Sequence, residues 1–321
     1  MFSTPILIIN FNRPDFTRQV LTVAMQQSPA RLYLFQDGPR PGNPSDPQRL
    51  AAVRQVIDEL THNTPTQIHT LYSDKNLGCG PGPATALQWF FSQEEEGIIL
   101  EDDAIPHPDF FPYAQQLLDR YRNDNNVMVI GSMNVDKHPW GDGSYYLSMM
   151  NRNLCAWASW RRAWQHFDIR HMNVSRCDLS RALRRYGCGI LEREYWCDRL
   201  DEVHRDGVGN SSWDMQFLMS IWLQHGKGII PNVNLTSNIG TINDATHTFT
   251  KGNIIDNVPS HPILPLTHPT DTAVQHEADR QFHFMYFETS RGNWSRAKIF
   301  RHLLNKKIKK LLRHQGPWRK K

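Results

Sequence analysis

A chain of 321 residues, 39% hydrophobic and 21% charged, has length for a large buried core and the composition of a globular protein. It holds no apolar run of about 18 residues, so no membrane span is expected, and MFSTPILIINFNRPD lacks the basic start and small-residue cleavage site of a signal peptide. The net charge of +4 is unevenly spread: 11 of the 36 basic residues lie from Arg296 onward, where no acid occurs, leaving 25 against 32 acidic residues, a net of −7, in the body.

Residues 5–10, PILIIN, read as a fully buried strand. Asn12 or Asp15 caps a helix with Phe16, Val20 and Ala24 on one face. RLYLFQD is a second strand ending in Asp37. The loop GPRPGNPSDP leads to a helix near Pro47 with Leu50, Val53, Ile57 and Leu60 aligned. TQIHTLYS is a third strand, and NLGCGPGPATALQWFF a Gly/Pro-rich loop running into a short helix. Ile98–Leu100 form a fourth strand. Pro108 opens a helix carrying Phe110, Ala114, Leu117 and Tyr121, and VMVIGS is a fifth strand. Strand and helix alternate about every 30 residues, the pattern of a parallel α/β sheet covered on both faces. Ligands bind such sheets beyond the carboxyl ends of the strands. Those ends carry Asn10, Asn12 and Arg13; Gln36 and Asp37; Ser73, Asp74, Lys75 and Asn76; and Glu101, Asp102 and Asp103.

After residue 131 the alternation fades and aromatics dominate. Trp157, Trp160 and Trp164 are spaced 3 and 4 apart, which suggests one buried helix face, with a sugar-stacking platform as the alternative. WDMQFLMSIWLQHG reads as helical. Residues 252–272 are rich in Pro and Thr and read as an extended arm. The odd, scattered set Cys79, Cys155, Cys177, Cys188 and Cys197 suggests reduced thiols, and without a CxxC pair no cysteine-built zinc site is expected. The Asn234-Leu-Thr sequon is then a chance match.

Three carboxylates directly after an apolar strand suit a hard divalent cation, which takes oxygen ligands and substrate phosphates. If the strand continues, side-chain alternation lets one of Asp102 and Asp103 face the ion and the other a ribose or sugar hydroxyl. The plainer alternative is a solvated acidic turn. It is weakened because the run Glu94–Glu96 already supplies acids on the solvated side. Gly78, Gly80 and Gly82 do not make a dinucleotide fingerprint, since they follow the third strand, not the first, and include prolines. They read as a loop passing close to a ligand or as a tight turn.

LEDD followed by PHPDFF resembles the metal motif of GT-A glycosyltransferases, in the Glu-Asp-Asp form of the N-acetylglucosaminyltransferase I type. PILIINFNRP, FQDGPR, NLGCGPG, GIILEDD, AWASWRRAW, SSWDMQF and NLTSNIG…DATHT, in that order, are together similar to a bacterial family of glycosyltransferase or hemolytic-protein-like chains, over residues 5 to about 248. The resemblance implies a GT-A fold: a mixed, mostly parallel sheet with helices on both faces. It implies a catalytic domain over 1–250, with a nucleotide-sugar half at 1–131 and an acceptor half at 132–250. An arm follows at 251–294 and a basic tail at 295–321. It also implies residue roles. Asp103 is the metal ligand for Mn²⁺ or Mg²⁺, with His247 a second candidate. Glu101 and Asp102 hold ribose and donor sugar, Asp37 reads the base, and Asn12, Arg13, Lys75 and Asn76 lie near the nucleotide. Asp214, in SSWDMQF, is the general base of an inverting transfer; its neighbours Trp213 and Phe217 favour the neutral acid, while a helix start favours the carboxylate and offers a purely structural role.

The tail carries Ile299, Phe300, Leu303, Leu304, Ile308, Leu311 and Leu312 at helical spacing opposite a basic face. An anionic membrane surface is the expected partner of residues 296–321, ahead of packing on the body, with nucleic acid least expected. The chain is thus expected to be a glycosyltransferase acting on a glycan or glycolipid in bacterial surface polysaccharide synthesis, cytoplasmic and peripheral to the inner membrane. A nucleotidyltransferase or a non-enzymatic carbohydrate- or membrane-binding module are the alternatives.

Overall fold

The computed structural model describes residues 1–136, 139–150, 155–206, 213–240 and 258–287, together with 300, 304, 305 and 308. In chain order the elements are β1 (Ile6–Asn10), α1 (Pro14–Gln26), β2 (Arg31–Gln36), α2 (Asp46–Thr61), β3 (Gln67–Tyr72), α3 (Pro81–Gln93), β4 (Glu96–Glu101), β5 (Ala104–Pro106), α4 (Phe110–Tyr121) and β6 (Val127–Gly131). Then come β7 (Tyr145–Ser148), β8 (Ala156–Trp160), α5 (Arg161–Trp164), α6 (Arg176–Arg185), α7 (Ile190–Asp206), α8 (Trp213–Leu223), β9 (Lys227–Pro231), β10 (Thr236–Asn238) and α9 (His276–Phe287).

Among the described residues the main sheet runs β3-β2-β1-β4-β8-β6-β9-β7. β1 to β4 are mutually parallel, β8 is antiparallel to β4 and β6, β9 is parallel to β6, and β7 is antiparallel to β9. The sheet is therefore mixed and mostly parallel. A strand buried on both faces needs apolar residues throughout, which is why β1 reads as an unbroken ILII run. Ile6, Ile8, Leu32, Leu34, Ile98 and Leu100 pack under α1, α2 and α4. The alternate residues Leu7, Ile9, Tyr33, Phe35 and Ile99 pack under α3, α5 and α8. Prolines in the first turns of α1, α2 and α3 start those helices where a missing N–H costs nothing. A third core, with Leu183, Trp196, Leu200, Trp222 and Phe282, joins α6–α9 beneath Met149 and Met150.

Four expectations change. Trp157, Trp160 and Trp164 are buried, but not along one helix: the first two lie on β8 and the third in α5. The 3-and-4 spacing coincides with a strand passing into a helix, so it mimics helical periodicity. Residues 258–275 run without helix, but 276–287 form α9 where an extended arm was expected, because Ala278, Asp279, Phe282 and His283 bury one face. The Glu94–Glu96 run is not a free solvated patch. Glu94 is buried against Arg31 at 2.6 Å and accepts from the Tyr33 hydroxyl at 2.8 Å, while Glu95 and Glu96 pair with Arg161 and Arg122. Asn234, in the sequon, is buried with its amide donating to the carbonyls of Thr236, Val258 and Pro259.

No helix among the described residues is long and apolar enough to cross a membrane. Of the tail, Phe300, Leu304 and Ile308 are described, all three exposed. The remainder of residues 296–321 lies outside the described residues, as does His247.

Candidate active site

β4 ends at Glu101, and the chain turns through Asp102 and Asp103 into β5, a short strand that pairs antiparallel with β10. The NLTSNIG stretch thereby lies beside the acidic triplet: Ile239 N–H donates to the Asp103 carbonyl at 2.9 Å. The fit is tight, since a Cβ at Gly240 would collide with the Asp103 carboxylate. β8 lies on the other side of β4, and Glu101 N–H donates to the Cys155 carbonyl at 2.7 Å. α8 carries Asp214 in its first turn, where Met215 N–H donates to its Oδ1 at 2.9 Å, and the Asp214 charge acts on Glu101.

The chain turns at Asp102 and Asp103 rather than continuing as a strand, so the expected strand alternation does not apply to them. Asp102 turns to Arg13 and is buried there; the guanidinium donates to both of its oxygens and also pairs with Asp103 Oδ2 at 3.0 Å. Glu101 and Asp103 form a second group with Cys155, Asp103 being shared with Arg13. Their carboxylates and the Cys155 Sγ lie within 4.8 Å of one another. Asp103 Oδ1 is buried with no hydrogen-bond partner among the described residues.

Burial pushes the Glu101 carboxyl well up, and the charges of Asp103, Asp214 and Asp102 add to the push against Arg13. Burial also raises Asp103, opposed by Arg13 and reinforced by Asp102. Burial disfavours the Arg13 charge, but Asp102 and Asp103 outweigh it and hold the guanidinium cationic. Among the described residues, four carboxylates thus share the Arg13 guanidinium. Such a cluster is stable only by holding protons or by accepting a further positive charge. The orphaned Asp103 Oδ1 beside Glu101 fits a divalent ion.

The predicted nucleotide residues form a neighbouring group. Asp37 is buried, and each of its oxygens accepts two hydrogen bonds: Oδ1 from the N–H groups of Gly38 and Leu77, Oδ2 from Gly78 N–H and the Asn76 amide. Its carboxylate therefore shapes the glycine loop, and base recognition by that loop would pass through the backbone it holds. Gly38 permits the closure, because a Cβ there would strike the Lys75 backbone. Asn12 donates to the buried Asp46 at 2.8 Å, and Arg40 binds the same carboxylate through both its side chain and its N–H. Asn12 thus anchors the loop after β2, while the Lys75 side chain is exposed at the same edge.

Sequence reasoning passed over Cys155 and Asn238. Neither has a motif spacing to the triplet; only the β4–β8 and β5–β10 pairings bring them there.

No family model matches the chain, and no curated protein does. Solved structures do match it. HddC from Yersinia pseudotuberculosis is 9% identical over 51% of this chain and 80% of its own, with a TM-score of 0.31. An apo-UDP-glucose pyrophosphorylase is 9% identical over 73% and 93%, at 0.38. The glycosyltransferase GlyE in Streptococcus pneumoniae TIGR4 is 12% identical over 70% and 44%, at 0.33. These distant likenesses assign no activity, which rests on the residues of the site.

Proposed function

We propose that this chain is a metal-dependent, inverting glycosyltransferase of GT-A type. It would move a sugar from a nucleotide-diphospho-sugar to a glycan or glycolipid acceptor. The observation that carries the reading is the carboxylate cluster at the carboxyl edge of the parallel strands, where, among the described residues, Glu101, Asp102, Asp103 and Asp214 share the Arg13 guanidinium.

Asp103 and Glu101 would hold Mn²⁺ or Mg²⁺; His247 was an expected ligand outside the described residues. When bound, the ion supplies positive charge against the departing diphosphate. Arg13 orients Asp102 by donating to both of its oxygens. The Asp37-held loop, with Lys75 and Asn76, borders the nucleotide. Asp214 takes the proton from the acceptor hydroxyl, with Met215 N–H fixing one oxygen so that the other meets the substrate. The exposed Phe300, Leu304 and Ile308, four residues apart in a basic segment, support docking on an anionic membrane. That placement suits a cytoplasmic enzyme of surface polysaccharide synthesis working at the inner membrane face.

The products decide the reaction class. Incubation with nucleotide-sugars and Mn²⁺ is expected to release a nucleoside diphosphate with transfer or hydrolysis of the sugar. Consumption of a nucleoside triphosphate with release of pyrophosphate would instead establish a nucleotidyltransferase.

A further inference from the structure

The metal reading gives the site hard oxygen ligands. The structure adds a sulfur. Cys155 Sγ, Glu101 and Asp103 offer one ligand atom each within 4.8 Å. Ligands bound to one ion at about 2.0–2.3 Å stand up to roughly 4–4.6 Å apart, so a small side-chain adjustment brings the three into a single coordination shell. Cys155 is buried on the flank of β8, where its own carbonyl is tied to Glu101 N–H at 2.7 Å, so the thiol and the carboxylates sit on a common frame.

Two further observations point to a ligand at this place. Asp103 Oδ1 is buried without a hydrogen-bond partner among the described residues. Its other oxygen is engaged by Arg13, so the orphaned oxygen is the one left to coordinate. Asn238 supplies the second. Its Oδ1 accepts Gly240 N–H at 2.9 Å, which turns its amide NH₂ toward Cys155 Sγ at 3.1 Å. An N–H donor aimed at a sulfur orients it and stabilises negative charge on it, the usual outer support of a thiolate ligand.

We propose that Cys155 is a metal ligand, completing a Glu101–Asp103–Cys155 site that favours borderline ions such as Co²⁺ and Zn²⁺ over Mg²⁺. Thiolate ligands select such ions, whereas an all-oxygen site suits Mg²⁺. On binding, the S–H bond breaks, the S–metal bond forms from the sulfur's electron pair, and the proton leaves to solvent. The inference rests on the metal reading of the proposed function, and it concerns which atoms do the binding.

The test is titration of the full chain with Co²⁺, read by absorption, alongside competition by Mg²⁺, Mn²⁺ and Zn²⁺. Wild type is expected to show a thiolate-to-cobalt charge-transfer band. Cys155→Ser is expected to lose the band while still binding Mn²⁺, and Asn238→Ala to weaken Co²⁺ about 10–100-fold. Saturable Co²⁺ binding to wild type without that band overturns the sulfur ligand and leaves the oxygen site standing. Failure of wild type to bind Co²⁺ or Mn²⁺ overturns both readings. Should Cys155→Ser not fold, the wild-type spectrum alone decides.

Discussion

Arg13 is where the site's electrostatics are concentrated. Its guanidinium serves Asp102, whose side chain is only 5% exposed, and reaches Asp103 as well. Removing one partner of a buried pair leaves a stranded charge, so Arg13→Ala is expected to lower the unfolding free energy by about 3–5 kcal/mol, read from the denaturant midpoint at unchanged slope. An unchanged midpoint would mean that water or another group compensates Asp102. Asp214 makes a different kind of prediction. Among the described residues its side chain accepts a hydrogen bond from Met215 N–H, which an amide oxygen can also accept, so Asp214→Asn is expected to preserve the fold. Nucleotide binding is expected to stay intact while transfer falls about 10²–10⁴-fold, the usual contribution of a general base. Full transfer by Asp214→Asn would remove it from the mechanism. The triplet and Asp214 stood out in the sequence as candidates, since the triplet follows an apolar strand and Asp214 sits in a Trp-Asp context; the pairing of Arg13 with Asp102 was not legible. Nor was Cys155, because nothing local marks a cysteine that only an antiparallel strand pairing brings to the triplet.

Among the elements, β1 to β4 and their helices were legible because parallel strands buried on both faces leave continuous apolar runs between proline-started helices. The later strands were not. β8 contains two tryptophans, and it meets α5 without a loop, so its period of two merges into a helical one. α9 was hidden by the Pro/Thr-rich stretch before it. Its docking gives a pH prediction. Trp196 Nε1 donates to His283 Nε2 at 3.1 Å, and burial lowers the His283 pKa to about 4. The folded state therefore binds fewer protons than the unfolded state between about pH 4 and the ordinary histidine value of about 6.5. Stability is full above that range and is lost as pH falls through it, since an imidazolium cannot accept the Trp196 N–H. Glu192, 3.9 Å away, tempers the loss by attracting the imidazolium. The thermal midpoint of wild type is expected to drop between pH 6.5 and 4, and that of His283→Gln to drop less. Equal slopes would show that other groups govern the acid limb.

On the scale of the whole molecule, the charge is divided between a body of net −7 and a tail with 11 basic residues. Each basic residue near an anionic surface contributes about 1 kcal/mol. Phe300, Leu304 and Ile308 add apolar surface at helical spacing. Deleting residues 296–321 is expected to abolish binding to vesicles containing anionic lipid, with activity on a soluble acceptor retained. Vesicle binding that survives the deletion would place the membrane contact elsewhere.

The central claim is that the acidic edge of the sheet holds a metal on a nucleoside diphosphate. It is tested most directly by thermal unfolding with UDP, GDP, CDP and ADP, each with and without Mn²⁺. A ligand at 100 times its dissociation constant adds about 2.7 kcal/mol, a readily measured shift. The expected result is a rise with one nucleotide that requires Mn²⁺ and disappears in Asp103→Ala. No shift with any nucleotide, or a shift indifferent to Mn²⁺ and to Asp103, would contradict the account.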